Sequence, residues 1–215
     1  MKYTGVTNLG NRIATENSVP GVKVYGEFLK RQGDKELRVW DFHRSKLAAA
    51  IKKGLRTFPF DEKSRILYLG AGNGTTPSHI ADISRKGIIY CVEFSARAMA
   101  DLYAVCKQRK NLIPILGDAN KPFGYMNRIG QVDILYEDVA QRSQVDILKK
   151  NAKYFLKPQG YVFLMVKARS IDVAKDPKNV FNIVKEELRS DFQILETIPL
   201  DPYEKDHMCI VAQLR

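Results

Sequence analysis

From Ser64 onward, short apolar runs alternate with longer stretches whose apolar residues recur at helical spacing. RILYLG, GIIYCVEF, LIPILG, VDILYEDV and GYVFLMVKA read as strands buried on both faces, because such strands are apolar throughout. SARAMADLYAVCKQRK and VDILKKNAKYFL between them read as amphipathic helices. Strands alternating with helices predict a parallel sheet covered on both sides. The last two runs, FQILETIPL and HMCIVAQLR, are separated only by DPYEKD, too short for a helical crossover, so they are expected to pair antiparallel.

The first part of the chain has a different texture. From Val22 to Trp40, VKVYGEFL, the polar RQGD and KELRVW predict two strands around a turn, and shorter strand-like pieces precede them. Ser45 is placed to cap a helix through SKLAAAIKKGL that ends near Gly54. The expected organisation is a small β-rich region with a linking helix over residues 1–55, followed by an α/β domain over 56–215. At 215 residues the chain has room for one full core and a small extension, not two large domains.

Charge adds a partner class. The chain carries 35 Lys and Arg against 24 Asp and Glu, and the first 60 residues hold 12 basic against 5 acidic side chains. About two-thirds of the excess is therefore near the N-terminus, which favours a polyanion such as RNA or DNA as partner. Cys91, Cys106 and Cys209 are odd in number, and two lie in apolar runs, so neither a disulfide framework nor a metal cluster is expected. No stretch has the length of a membrane span or the apolar centre of a signal peptide, so an intracellular protein without a membrane partner is expected.

Candidate chemistry gathers where parallel strands end. Directly after RILYL come Gly70, Ala71, Gly72, Asn73, Gly74, Thr75 and Thr76, then a helix expected to begin near Pro77. Glycines here let the backbone approach a ligand at the carboxyl end of the first strand. Glu93, about 20 residues further on, closes the second apolar run, where a carboxylate can accept hydrogen bonds from both hydroxyls of an adenosine ribose. The pair points to an adenosine-containing cofactor, with NAD and S-adenosyl-L-methionine both open. The spacing G-x-G-x-G departs from the dinucleotide pattern, which has glycine where Thr75 stands. A sheet ending in an antiparallel hairpin is, by analogy, that of Rossmann-like S-adenosylmethionine-dependent methyltransferases. Asp118, after the third strand, is a candidate acceptor for an adenine amino group.

The same sheet edge should collect residues able to handle a proton. Asp138 ends VDILYED, Lys167 ends GYVFLMVK, and His207 opens the last, antiparallel strand, which puts it at that edge too. Lys46, from the preceding helix, can cover them. Singly, each has an ordinary structural explanation as a helix cap or a solvated strand end. Jointly, charges brought together beside a cofactor are what functional sites use.

The strings RVWDFHRSKLAAAI, LYLGAGNGTT, VEFS, GDANKP, YEDVAQ, NAKYFLKPQGYVFLMVKA and DPYEKDHMCIVA, in that order, resemble the fibrillarin family in its archaeal form. The chain departs from it at GAGNGTT, commonly GAASGTT, and at Phe42, commonly proline. The resemblance implies a catalytic subunit of box C/D ribonucleoprotein particles that methylates ribose 2′-hydroxyls of ribosomal, and possibly transfer, RNA from S-adenosylmethionine. Its implied partners are a guide RNA, the target RNA, a Nop-domain scaffold protein and a kink-turn-binding ribosomal-type protein, in the cytoplasm. It places Lys46, Asp138, Lys167 and His207 in the catalytic set. It places cofactor contacts on Thr75 and Thr76, Glu93 and Phe94, Asp118 and Ala119, and Asp138, Val139, Ala140 and Gln141. The rival readings are an NAD-dependent oxidoreductase and a scaffold that binds RNA without catalysis.

Overall fold

The computed structural model describes residues 3–215. Four short strands come first: β1 (Val6–Leu9), β2 (Arg12–Glu16), β3 (Leu29–Gln32) and β4 (Lys35–Trp40). They form an antiparallel sheet in the order β1-β2-β4-β3. The expected strand through VKVYGEFL starts only at Leu29. The Glu27 carboxylate accepts hydrogen bonds from the backbone N–H groups of Val24 and Tyr25, which curls the segment into a turn before any ladder can form.

Helix α1 (Lys46–Lys52) begins after Ser45, whose hydroxyl accepts from the Ala48 N–H, and the chain turns at Gly54 with φ +93°. The remaining elements are β5 (Arg65–Leu69), α2 (Thr75–Ile83), β6 (Ile88–Glu93), α3 (Ala96–Gln108), β7 (Leu112–Leu116), β8 (Val132–Glu137), α4 (Gln144–Phe155), β9 (Leu156–Lys167), α5 (Ala168–Ile171), α6 (Pro177–Leu188), β10 (Phe192–Pro199) and β11 (His207–Leu214). Helix α2 starts two residues before Pro77. The proline sits in the first turn, where its missing N–H has no helical acceptor to lose.

The seven strands β5 to β11 form one sheet in the order β10-β11-β9-β8-β5-β6-β7. β9, β8, β5, β6 and β7 are mutually parallel, and β11 runs antiparallel between β9 and β10. This is the expected parallel sheet closed by a terminal hairpin. Its two faces are covered by separate apolar clusters, one around Trp40, Leu47, Ile66 and Phe163, the other around Leu67, Leu135, Phe155 and Phe192. The three cysteines are free and buried. Among the described residues no helix is long and apolar enough to cross a membrane.

A buried polar network joins the small sheet to the large one. Arg38, fully buried, donates to Glu27 (2.6 Å), Asp82 (2.7 Å) and Ser78 (2.9 Å), so β4 is tied to α2. Arg109, at the end of α3, reaches the same Asp82 at 3.4 Å and Asn17 at 3.1 Å. A buried charge left without its partner costs about 3–5 kcal/mol, so each member depends on the others. Beside them the His79 ring stacks on Trp40 at 4.7 Å, with Thr15 Oγ1 and Tyr25 Oη each 2.8 Å from a ring nitrogen.

Burial, then the charges of Arg38 and Arg109, hold the His79 imidazole well below its ordinary value near 6.5. The folded chain resists a proton that the unfolded chain accepts. Stability is therefore full above about pH 6.5 and declines as the pH falls below it. In scanning calorimetry, His79→Gln is expected to lose less melting temperature than the parent between about pH 7.5 and about pH 5.5. Parallel losses in the two proteins would show that His79 does not carry this term.

Candidate functional site

The site is built where β5 and β8 end. Gly70 follows β5 with φ +76°, and its backbone lies so close to the next connection that a Cβ there would stand 2.8 Å from the Asp138 carbonyl oxygen. Only glycine fits both constraints. The Asp138 N–H donates to Leu69 O at 2.9 Å, extending the β5–β8 pairing by one residue. That carbonyl then accepts from Lys167 Nζ at 3.0 Å, across the sheet from β9.

The Asp138 carboxylate lies between two ammonium groups. Its Oδ1 is 2.9 Å from Lys167 Nζ and 3.2 Å from Lys46 Nζ. The contacts at Oδ1 are charge contacts; the aligned bond from Lys46 goes to Oδ2, at 3.3 Å. All three side chains are about 15% exposed, partly withdrawn from water yet open on one side. Lys46 owes its place to two hydroxyls: Thr76 Oγ1 donates to Ser45 Oγ at 2.9 Å, which pins the start of α1 to the start of α2.

Two nearby residues escaped the sequence reading. Glu204, in the β10–β11 connection, brings a carboxylate to 3.9 Å from Lys46. Gln144, buried at the first position of α4, donates to Val139 O at 2.5 Å and accepts from the Lys167 N–H at 3.3 Å, so it holds the Asp138–Gln141 segment against β9. Neither carries a local pattern; only its buried or convergent position reveals it. His207 pairs in register with Lys167. Its Nδ1 lies 2.6 Å from Lys205 O, and among the described residues no hydrogen bond joins it to Asp138 or to either lysine.

Adjoining this trio is a cavity of about 400 Å³ lined by Gly70, Gly72, Glu93, Phe94, Ala119, Asp138 through Gln141, and Lys167. Glu93 is held from behind: Gly72 N donates to Oε2 and Ser95 N to Oε1, each at 2.8 Å. A carboxylate fixed by two backbone donors keeps its outer lone pairs aimed at the cavity. Phe94, 72% exposed, offers a flat apolar face beside it. Asp118 does not line the cavity; it accepts from Asn120 N at 2.9 Å, and Asn120 in turn donates at 2.5 Å to Gln141, which does. Gly74 is the left-handed cap of α2. Thr75 faces a neighbouring cavity with Asn73 and Asp101, and the Thr76 hydroxyl is committed to Ser45.

Behind the site, Glu137 is fully buried, and among the described residues neither carboxylate oxygen has a partner. Burial pushes its carboxyl well above its ordinary value near 4.5; Asp138 adds to this and Lys167 opposes it. The folded state resists ionisation, so the residue costs stability as the pH rises above about 4.5. Glu137→Gln is expected to raise the melting temperature at neutral pH and to change it little near pH 4. An equal shift at both values would mean that Glu137 ionises freely in the folded chain.

Known proteins match along nearly the whole chain. A sequence profile of the fibrillarin family matches residues 2–215. The fibrillarin-like rRNA/tRNA 2′-O-methyltransferase of Methanopyrus kandleri is 54% identical over 202 residues, covering 93% of this chain and 87% of that protein. The crystal structure of Aeropyrum pernix fibrillarin with natively bound S-adenosyl-L-methionine is 45% identical, with TM-score 0.90, covering 98% of this chain and 95% of that one. A fibrillarin/Nop5p complex is 43% identical with TM-score 0.93, covering 100% and 99%.

Proposed function

The chain belongs to the fibrillarin family, and from that premise we propose that its methylation of RNA ribose 2′-hydroxyls is carried out around Asp138, Lys46 and Lys167, with His207 at the rim. The protein is an S-adenosylmethionine-dependent RNA 2′-O-methyltransferase of box C/D ribonucleoprotein particles, in its archaeal form. The observation that carries the placement is the joining of the cavity to the charged trio: Asp138 and Lys167 line the one and belong to the other.

The cavity fits the cofactor. Its volume lies in the range of roughly 300–1,000 Å³ that small-molecule sites occupy. The pinned Glu93 carboxylate suits a ribose diol, Phe94 suits a purine face, and the Gly70–Gly72 backbone leaves room for close approach. When bound there, S-adenosylmethionine supplies an electrophilic methyl group on a sulfonium. The tasks left to the chain are to orient the ribose oxygen and to receive its proton. Lys167, held by the Asp138 carboxylate and carbonyl, is the group we assign to both tasks: it orients the oxygen, and once one of its ammonium protons has passed to the Asp138 carboxylate the resulting amine receives the hydroxyl proton, with Lys46 holding the other side of Asp138. His207, its Nδ1 turned to Lys205 O, keeps Nε2 for RNA or water at the same edge. The terminal hairpin, the G-x-G-x-G spacing and the cofactor-bound relative together leave the NAD-dependent oxidoreductase reading without support.

The solved fibrillarin/Nop5p complex supports a Nop-domain protein as partner. We further assign to the particle a guide RNA that chooses the target in ribosomal or transfer RNA, and a kink-turn-binding protein. Incubating the chain with labelled S-adenosylmethionine and target RNA, with and without a reconstituted guide particle, and mapping the 2′-O-methyl groups tests this. Methylation is expected at one guide-selected nucleotide, and only with the particle. Efficient site-specific methylation by the chain alone would contradict it.

For the cofactor, Glu93→Ala loses an acceptor whose hydrogen bonds are each worth roughly 1.5–3 kcal/mol when charged, so titration with S-adenosylhomocysteine should show binding at least about tenfold weaker. A folded variant with parent affinity would remove Glu93 from the ribose.

A further inference from the structure

The trio carries two positive charges, on Lys46 and Lys167, against one negative charge on Asp138. A net positive charge is a poor neighbour for a cationic cofactor, because like charges repel strongly where water is partly excluded. Glu137, the acid next to Asp138 in the chain, does not correct the imbalance. It is buried without a partner among the described residues, and burial pushes its carboxyl well above its ordinary value near 4.5, which keeps it from ionising.

Glu204 does correct it. Its carboxylate lies 3.9 Å from Lys46 Nζ, and its side chain is 27% exposed where those of the trio are about 15% exposed. Glu204, Lys46, Asp138 and Lys167 thus form a row of alternating charges with gaps of 3.9, 3.2 and 2.9 Å, running inward from the rim. The β10–β11 connection fixes the outermost member. Leu200, fully buried, donates to His207 O at 3.0 Å and accepts from the N–H groups of Tyr203 (2.9 Å) and Glu204 (3.1 Å), so the chain makes a tight turn just before Glu204. The Tyr203 ring packs on Phe42 at 5.6 Å and on His43 at 5.3 Å, in the loop that leads into α1. The segment presenting Glu204 and the segment presenting Lys46 are therefore mounted on each other. Asp206, the other acid close by in this connection, is paired with Arg169 at 3.0 Å.

The cofactor and its product differ in charge at one atom. S-adenosylmethionine carries a positive sulfonium and S-adenosylhomocysteine a neutral thioether, and apart from the methyl group they offer the cavity the same contacts. We propose that Glu204 balances the second ammonium of the cluster and thereby favours the cationic cofactor over its neutral product. Glu204 does not line the cavity and acts through Lys46, so it is a positioning residue. With it the row is neutral, and a sulfonium beside Asp138 and Lys167 meets no net charge. Without it the row carries one positive charge, which repels the sulfonium and leaves the thioether unaffected. The carboxylate also gives Lys46 a second anchor, so that Asp138 stays available to Lys167. This role rests on the placement of the cofactor given above.

Calorimetric titration with S-adenosylmethionine and, separately, with S-adenosylhomocysteine tests it in the parent, Glu204→Gln and Glu204→Asp. Glutamine keeps the size of the side chain and removes its charge. Glu204→Gln is expected to bind S-adenosylmethionine at least about threefold more weakly, with S-adenosylhomocysteine affinity and melting temperature at the parent values. Because Glu204 is partly exposed, that difference from the parent should shrink between about 0.05 M and about 0.5 M salt. Glu204→Asp keeps the charge and should stay close to the parent. Equal weakening of both ligands would mark a purely structural role and overturn the proposal. So would parent affinity for S-adenosylmethionine in folded Glu204→Gln, a difference that salt leaves unchanged, or an aspartate variant that behaves like the glutamine one. S-adenosylhomocysteine binding by Glu93→Ala is scored separately: parent affinity there refutes the cofactor placement, whereas weakened binding there alongside an unchanged cofactor preference in Glu204→Gln refutes only the role of Glu204.

Discussion

The convergence of Lys46 and Lys167 on Asp138 is the interaction the rest of the molecule is arranged to produce. Three charges so little exposed are tolerated only together, because a partly buried ion without its counter-charge is expensive. Each comes from a different element: the start of α1, the end of β8 and the end of β9. Gly70 makes the middle one possible, since a side chain there would collide with the very carbonyl that receives Lys167. Sheet pairing therefore does more than support the site, because it sets the Asp138 carbonyl and carboxylate on the same ammonium.

The small N-terminal sheet contributes through a different set of contacts. Arg38, Asp82, Glu27 and Arg109 fix it to α2 and α3 by ion pairs out of reach of water, where screening is weak. The Thr76–Ser45 bond then carries the position of α2 into α1, and so into Lys46. Change at the sheet junction is thus coupled by named hydrogen bonds to one side of the charged trio, while Gln144 performs the corresponding task for Lys167 from α4.

Much of this was legible in the amino-acid order, for physical reasons that also mark the limits. Strands buried on both faces cannot hide: ILYL, IIYCV and FLMV are apolar at every position, and each became a central strand. The Ser45 cap was readable because capping chemistry is local. VKVYGEFL misled because its alternation is strand-like while Glu27, a single side chain, captures the backbone donors a strand would need. Helix α2 started early because a first-turn proline does not mark the first residue. Glu204 and Gln144 act through distant partners, and a sequence of residues gives no sign of proximity across 158 or 23 positions. Asp138 and Lys167 were accessible because strand ends in a parallel sheet share one edge, whereas Lys46, at the start of α1, was read only as a residue able to cover that edge.

The measurement closest to the centre of this account is single-turnover methylation in a fully assembled guide particle, with cofactor affinity determined alongside, for Lys167→Ala and Lys167→Arg. A guanidinium stays protonated and cannot accept the hydroxyl proton, yet it can still pair with Asp138. If Lys167 both orients the oxygen and takes its proton, both variants should be reduced at least about a hundredfold with cofactor bound, the lower end of what a positioned acid or base contributes. Near-parent single-turnover rates in Lys167→Ala, at saturating cofactor and target RNA, would contradict the assignment of the reaction to the Lys46–Asp138–Lys167 cluster.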